Sequence, residues 1–299
     1  MLRISQSSGE KLFTFIIISA IAYNFINSMY SESIGYISIL SILFFGIIHG
    51  ANDIHLILKR QPKNSGYIKV TFYYVLVILA ATLSFYSFSG ISLLFFVLFS
   101  CYHFGEQQWT IINKSIDNKI YFFSYGLFVF ALLFYFNIEA VIDIISKISN
   151  LELLYEYFEY LFYFSSIFLT LTTLIYFNEL KDQLIFQILL FIIMIFSFKY
   201  LDLMDAFAFY FVIYHSIPSI FEQTEYLFGE ISFKSILKYF KSALLYWVFA
   251  IVGLIIYYYL NQANELSLNL FFSFLAAITF PHVIVILKMK KNQIKVIKY

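Results

Sequence analysis

Five histidines, His49, His55, His103, His215 and His282, are the residues of this 299-residue chain best suited to chemistry. All five stand inside long apolar runs. An ionisable group is costly to bury in such a run and is a functional candidate by default. Imidazole is a ligand common to iron, copper, zinc and nickel. Several imidazoles at one place would make a metal centre; a lone one is as readily a hydrogen bond between helices. Polar neighbours accompany them at helical spacing. In "FGIIHGANDIHLILKR", residues 45–60, His49, Asn52 and Asp53 share a face at i, i+3 and i+4. In "CYHFGEQQW", residues 101–109, His103, Glu106 and Gln107 do the same. A carboxylate so placed can take the second N–H of a ligating imidazole and fix its tautomer, the role expected of Asp53 and Glu106. The rival readings are an ion pair at the helix end for Asp53, and a metal ligand or a solvated end residue for Glu106. His55, six residues from His49, points to another face and is expected to be structural or to sit behind a ligand.

The elements that carry these residues follow from composition. The chain is 62% hydrophobic, 22% aromatic and only 12% charged. Mean hydropathy is +0.83. A soluble domain of this length could not cover itself with so little charge. An all-α, polytopic membrane protein is expected, a transmembrane helix bundle forming a single integral-membrane domain over residues 1–299. A span takes about 20 mostly apolar residues, and about ten stretches qualify: 12–30, 35–58, 68–88, 91–112, 120–138, 157–177, 184–200, 203–221, 243–260 and 268–288. Arg3 and Lys11 precede the first run without a small-residue cleavage site after Tyr30, so that span is expected to be retained. Residues 139–156 read as an amphipathic surface helix. The single cysteine, Cys101, excludes a disulfide framework. A net charge of +1 without a basic patch offers nothing to nucleic acid.

Cations then orient the spans. Lys59, Arg60, Lys63 and Lys69 follow span two; Lys114 and Lys119 follow span four. Lys181 follows span six, and Lys234, Lys238 and Lys241 follow span eight; five lysines crowd the tail. The alternate connections hold few. Both termini are therefore expected on the cytoplasmic side of the cell inner membrane. Every histidine falls on an even-numbered span, towards its cytoplasmic end. At the helical rise, His49 and His103 sit roughly 15 Å inside, and His215 and His282 roughly 10 Å. Four imidazoles at similar depth favour one shared metal site. Pro218, just past His215, and Pro281, beside His282, are each expected to bend a helix. Gly105 would admit a close neighbour. The 39 phenylalanines and 26 tyrosines would suit a polyene tunnel, although aromatics also fill ordinary cores. The rival functions are a transporter or channel with a histidine relay, and a bis-histidine haem protein. Five histidines are too few for the boxes of a di-iron desaturase.

The segments "GIIHGANDIH", "HFGEQQW", "YHSIPSI" and "FPHVIVI", in their order and spacing, resemble the Brp/Blh family of membrane carotene dioxygenases over about residues 40 to 290. The resemblance implies oxidative cleavage of β-carotene at its central double bond (15,15') with O2. Two molecules of retinal result, for a microbial rhodopsin as acceptor. It also implies non-haem Fe(II) held by histidines. By position, His49 matches the histidine of G-x-P-H-G-x-x-D, with Asp53 as its acid. His103 matches that of H-F-G, and His215 the first of H-S-x-x-H. The chain departs from the pattern at Ile48 for proline, at Gln108 for an acid, and at Ser219 for the second histidine of H-S-x-x-H. The fourth ligand is then His282, or Ser219 leaves an open position. A divergent relative with another substrate is the variant of this reading.

Overall fold

The computed structural model describes residues 6–29, 31–59, 66–110, 117–260 and 268–297. Arg3, Arg60, Lys63, Lys114 and Lys298, which carry part of the charge argument, lie outside the described residues. The described residues form helices and contain no strand. In chain order these are α1 (Gln6–Met29), α2 (Ser31–Ser41), a π-helical segment (Ile42–Gly46), α3 (Asp53–Leu58), α4 (Tyr67–Ser87) and α5 (Ser89–Thr110). There follow α6 (Lys119–Phe136), α7 (Ile138–Ser149), α8 (Tyr155–Ile175), α9 (Phe177–Tyr200) and α10 (Leu203–Ala208). A second π-helical segment (Phe209–Ser216), α11 (Ile217–Phe228), α12 (Phe233–Leu260) and α13 (Leu268–Ile297) complete the chain.

Eight of the helical stretches are long and apolar enough to cross a membrane, and Thr14–Ile26 and Gly35–Gly46 are shorter apolar helices. The shorter stretches coincide with the first two expected spans. Residues 35–58 do not form one continuous helix. The chain passes through π-helical turns at Ile42–Gly46, opens into a turn over residues 49–52, and resumes as α3. The amphipathic helix expected over residues 139–156 is shorter in the structure: α7 ends at Ser149, residues 150–154 are not helical and Tyr155 begins α8. Within α7, Ile138, Val141 and Ile144 are buried and Glu139, Asp143 and Lys147 exposed. The Lys147 ammonium lies 2.7 Å from Asp143. Asn150, at φ 54°, ends α7 in the left-handed region that asparagine tolerates.

The chain divides into two compact units. One comprises Met1–Ile42, Ser100–Ile142 and Leu153–Pro218. Its centre is α6, apolar on every side and accordingly buried along most of its length. The Asn118 side chain caps α6 by accepting the Tyr121 N–H at 3.2 Å. The helix packs on α8 and α9, with Ser124 and Thr172 hydroxyls 2.7 Å apart. Two glycines bring α5 against α6. A Cβ at Gly105 would collide with the Phe122 carbonyl, and one at Gly126 with the Cys101 carbonyl. Such close backbone approach is what small residues contribute between membrane helices. Because the obstacle is main chain, it cannot swing aside. Gly126→Ala is therefore expected to cost about 1–3 kcal/mol, as overpacking does. A lowered midpoint of thermal unfolding in detergent checks this.

The other unit comprises Leu43–Phe99, Asp143–Glu152 and Ser219–Tyr299. Here α13 packs along α4, and the short α3 packs on both. The outward faces of α4 and α12 show large apolar side chains, such as Phe72, Leu83, Phe249 and Leu260. These faces suit lipid, which supplies no hydrogen bonds and demands none.

Candidate functional site

In the second unit His49 ends an irregular helix. The His49 N–H reaches the Phe45 carbonyl at 3.2 Å, but the Gly50 and Asp53 N–H groups bond three residues back, to Ile47 and Gly50. The helix thus unwinds over residues 49–52 and directs the His49 ring at His282 of α13. The two rings meet edge to face, 4.6 Å between centroids and 84° apart in plane. Both residues are 4% exposed. The His282 Nδ1 lies 2.9 Å from Asp53 Oδ1 and 3.1 Å from Oδ2. Tyr74 of α4 donates to Asp53 Oδ2 at 2.6 Å. An ionised carboxylate only accepts, so this network assigns the proton to Nδ1 of His282. In the neutral ring the lone pair then sits on Nε2, the atom available to a metal.

A buried hydrogen-bond chain holds the turn that carries His49. Asn52 donates to the Tyr239 carbonyl at 3.0 Å, and the Ser242 hydroxyl donates to Asn52 Oδ1 at 2.8 Å. The Tyr239 hydroxyl lies 2.8 Å from Gln223 Oε1 and 3.1 Å from the His49 carbonyl, sharing its proton between them. Gln223 donates in turn to the Ser219 hydroxyl at 2.9 Å. Ser219, the departure from the H-S-x-x-H pattern, thereby belongs to the scaffold behind His49. His55 turns away to Tyr67 and Tyr246, with ring centroids 5.9 Å and 5.8 Å distant.

The first unit carries a second pair. His103 on α5 and His215 in the Phe209–Ser216 segment meet at 4.8 Å, 80° apart in plane. Both are buried. Phe104 covers the His215 ring at 4.1 Å, and Phe211 stacks beside it at 17°. Gln107 donates to the His215 carbonyl at 2.9 Å. The π-helical turns end at Ile217, whose N–H bonds five residues back to Val212, immediately before Pro218. The distortion expected of Pro218 thus takes the form of widened turns, a common feature of functional sites. Gln108 pairs with Gln187 of α9 at 3.2 Å.

The helical spacing places Asp53 beside His49, yet the carboxylate goes to His282. The cause is the 49–52 turn, which ends the i, i+4 relation. Gln107 is the member of the His103 face that fixes the main chain of His215, and Glu106 beside it is buried. Tyr74, Gln223 and Tyr239 carry no mark in the sequence that sets them apart. Gln223 in particular sits in the polar stretch 222–225, just past the expected span 203–221, where an amide is unremarkable. Each of His49, His215 and His282 is a buried imidazole that could hold a metal ion.

A helical chain with eight stretches long and apolar enough to cross a membrane, paired buried imidazoles and a carboxylate against one of them fits a class: multi-pass membrane proteins whose buried imidazoles could hold a metal ion. The family model for beta-carotene 15,15'-dioxygenase matches residues 40–290. That match covers most of the chain, which therefore belongs to this family. No curated protein and no solved structure matches it.

Proposed function

We propose that the chain is an Fe(II)-dependent dioxygenase that cleaves β-carotene at its central double bond, within the bilayer, to two molecules of retinal. Family membership carries this reading. The two buried histidine pairs and the bond from His282 to Asp53 support the metal. The residues present fit the ion, since neutral imidazole suits iron and one ring is already held by a carboxylate. His49, His103, His215 and His282 are the proposed ligands, with Asp53 and Glu106 as orienting groups.

Cleavage breaks one carbon–carbon double bond and forms two carbon–oxygen double bonds. Both atoms of O2 enter the products and no proton is gained or lost, so no acid–base residue is demanded. A bound Fe(II) would supply the electron transfer that lets O2 react with an alkene. The chain's own groups do the positioning. Asp53 keeps the proton on Nδ1 of His282, and Tyr74 holds Asp53 in place. The bonds from Gln223, Tyr239, Asn52 and Ser242 keep the His49 turn from closing into a helix. Phe104 and Phe211 shield His215 from water. The proposed setting is the cell inner membrane with both termini cytoplasmic, and retinal would pass to a microbial rhodopsin.

Iron-loaded protein given β-carotene and O2 should form retinal alone, at two molecules per polyene consumed. Chelation should stop the reaction and added Fe(II) restore it, as followed by chromatography. Products of another length, or retinal formation that survives chelation, overturn the proposal.

A further inference from the structure

The second unit has a groove on an exposed apolar face, between α4, α5 and α13, that the histidines do not line. It is open along its length and holds about 620 Å³. Phe88, Ile91, Phe95, Phe99 and Phe280 line it. The first four are exposed. From Ile91 to Phe99 the wall runs roughly 12 Å along α5. We infer that this groove seats one end of an apolar polyene entering sideways from the lipid, an inference that rests on the function proposed above.

Three observations carry it. The aromatic wall is continuous from Phe95 to Phe280: Phe95 stacks on Phe99 at 6.2 Å and 27°, and Phe99 meets Phe280 at 5.9 Å. Flat aromatic faces suit a flat conjugated chain better than a flexible acyl chain. The groove's hydroxyls are satisfied within the protein. Ser92 donates to Ser84 at 3.1 Å, and Ser84 to the Ala81 carbonyl at 2.8 Å. The walls therefore ask for no polar group on the ligand, which selects a hydrocarbon end. Finally, Phe280 lies roughly 3 Å from His282 along the axis of α13, so the groove reaches the depth of that imidazole, although the two side chains stand on different faces of the helix.

Ile91→Trp narrows the groove at a lining position away from every histidine, and Leu94→Trp adds the same ring to an exposed position on α5 that does not line it. Each protein is equilibrated with β-carotene under argon, where cleavage cannot occur, and the retained polyene is read by absorbance after gel filtration. Ile91→Trp should retain about tenfold less than wild type, and Leu94→Trp as much as wild type. In O2, the apparent KM of Ile91→Trp should rise by about the same factor at unchanged iron content. Equal retention by wild type and Ile91→Trp overturns the groove. So does displacement of the polyene by an equal concentration of phospholipid, which would mark an acyl-chain site. Retention by wild type without retinal formation leaves the groove standing and removes the reaction. Retinal formation with an unaltered KM in Ile91→Trp does the reverse.

Discussion

Alanine at His49 or at His215 is expected to leave a chain that holds no iron and makes no retinal, while alanine at His55 changes neither. The reason lies in what each ring touches. His49 packs edge to face on His282, and His215 on His103 beneath Phe104. His55 lies only partly buried, between two tyrosines. Outer partners of a metal ligand typically cost about 10–100-fold in affinity, so loss of a ligand should exceed about 100-fold. Removing a buried ring also leaves a cavity that destabilises by about 2–5 kcal/mol. His49→Gln and His215→Gln therefore accompany the alanine variants, because they retain much of the volume while discarding the imidazole. The melting temperature of the glutamine variants should stay near that of wild type. Their iron content by elemental analysis and their retinal yield should both fall to background. His103→Gln should behave alike. Wild-type iron content in the glutamine variants would falsify the ligand assignment.

Much of this site can be read from the order of residues, and the part that cannot has definite causes. Hydropathy is a property of local composition, so the long helices α4, α5, α6, α8, α9, α12 and α13 stand out at once. The resemblance drawn from four short motifs holds because the family match runs over residues 40–290. The helix-breaking turn at His49–Asn52 is harder to see. An apolar window of about 20 residues averages over it, although Gly50 and Asn52 inside the span are a signal, since irregular backbone at membrane depth must line protein or a cavity. The π-helical segments have no compositional signature. The Asp53–His282 bond joins residues 229 apart in sequence, and no periodicity reaches that far. Tyr239 is one of 26 tyrosines and Phe280 one of 39 phenylalanines. Their importance comes from the neighbours that packing gives them, not from their type.

The Asp53 bond yields the second large effect. Asp53→Asn should bind Fe(II) about 10–100-fold more weakly, the usual cost of losing a carboxylate behind a ligating imidazole. An amide is neutral and can present either its oxygen or its NH2 group to Nδ1. It therefore no longer holds the proton there, and Nε2 spends part of its time protonated and unable to ligate. Because every imidazole remains, excess Fe(II) should restore retinal formation to Asp53→Asn, which it cannot do for His49→Gln. Asp53→Ala should be worse. It leaves both the His282 N–H and the Tyr74 hydroxyl without the buried acceptor that each now has, at about 1–3 kcal/mol per group. Tyr74→Phe removes only one of the donors to Asp53 and should weaken iron binding by less than about tenfold. Anaerobic Fe(II) titration with a competing chelator gives the three affinities in one series. The order Asp53→Ala, Asp53→Asn, Tyr74→Phe, from weakest to tightest, is specific to a carboxylate acting through His282. A purely structural Asp53 would instead lower the melting temperature in all three variants and leave the iron affinity of the folded fraction unchanged.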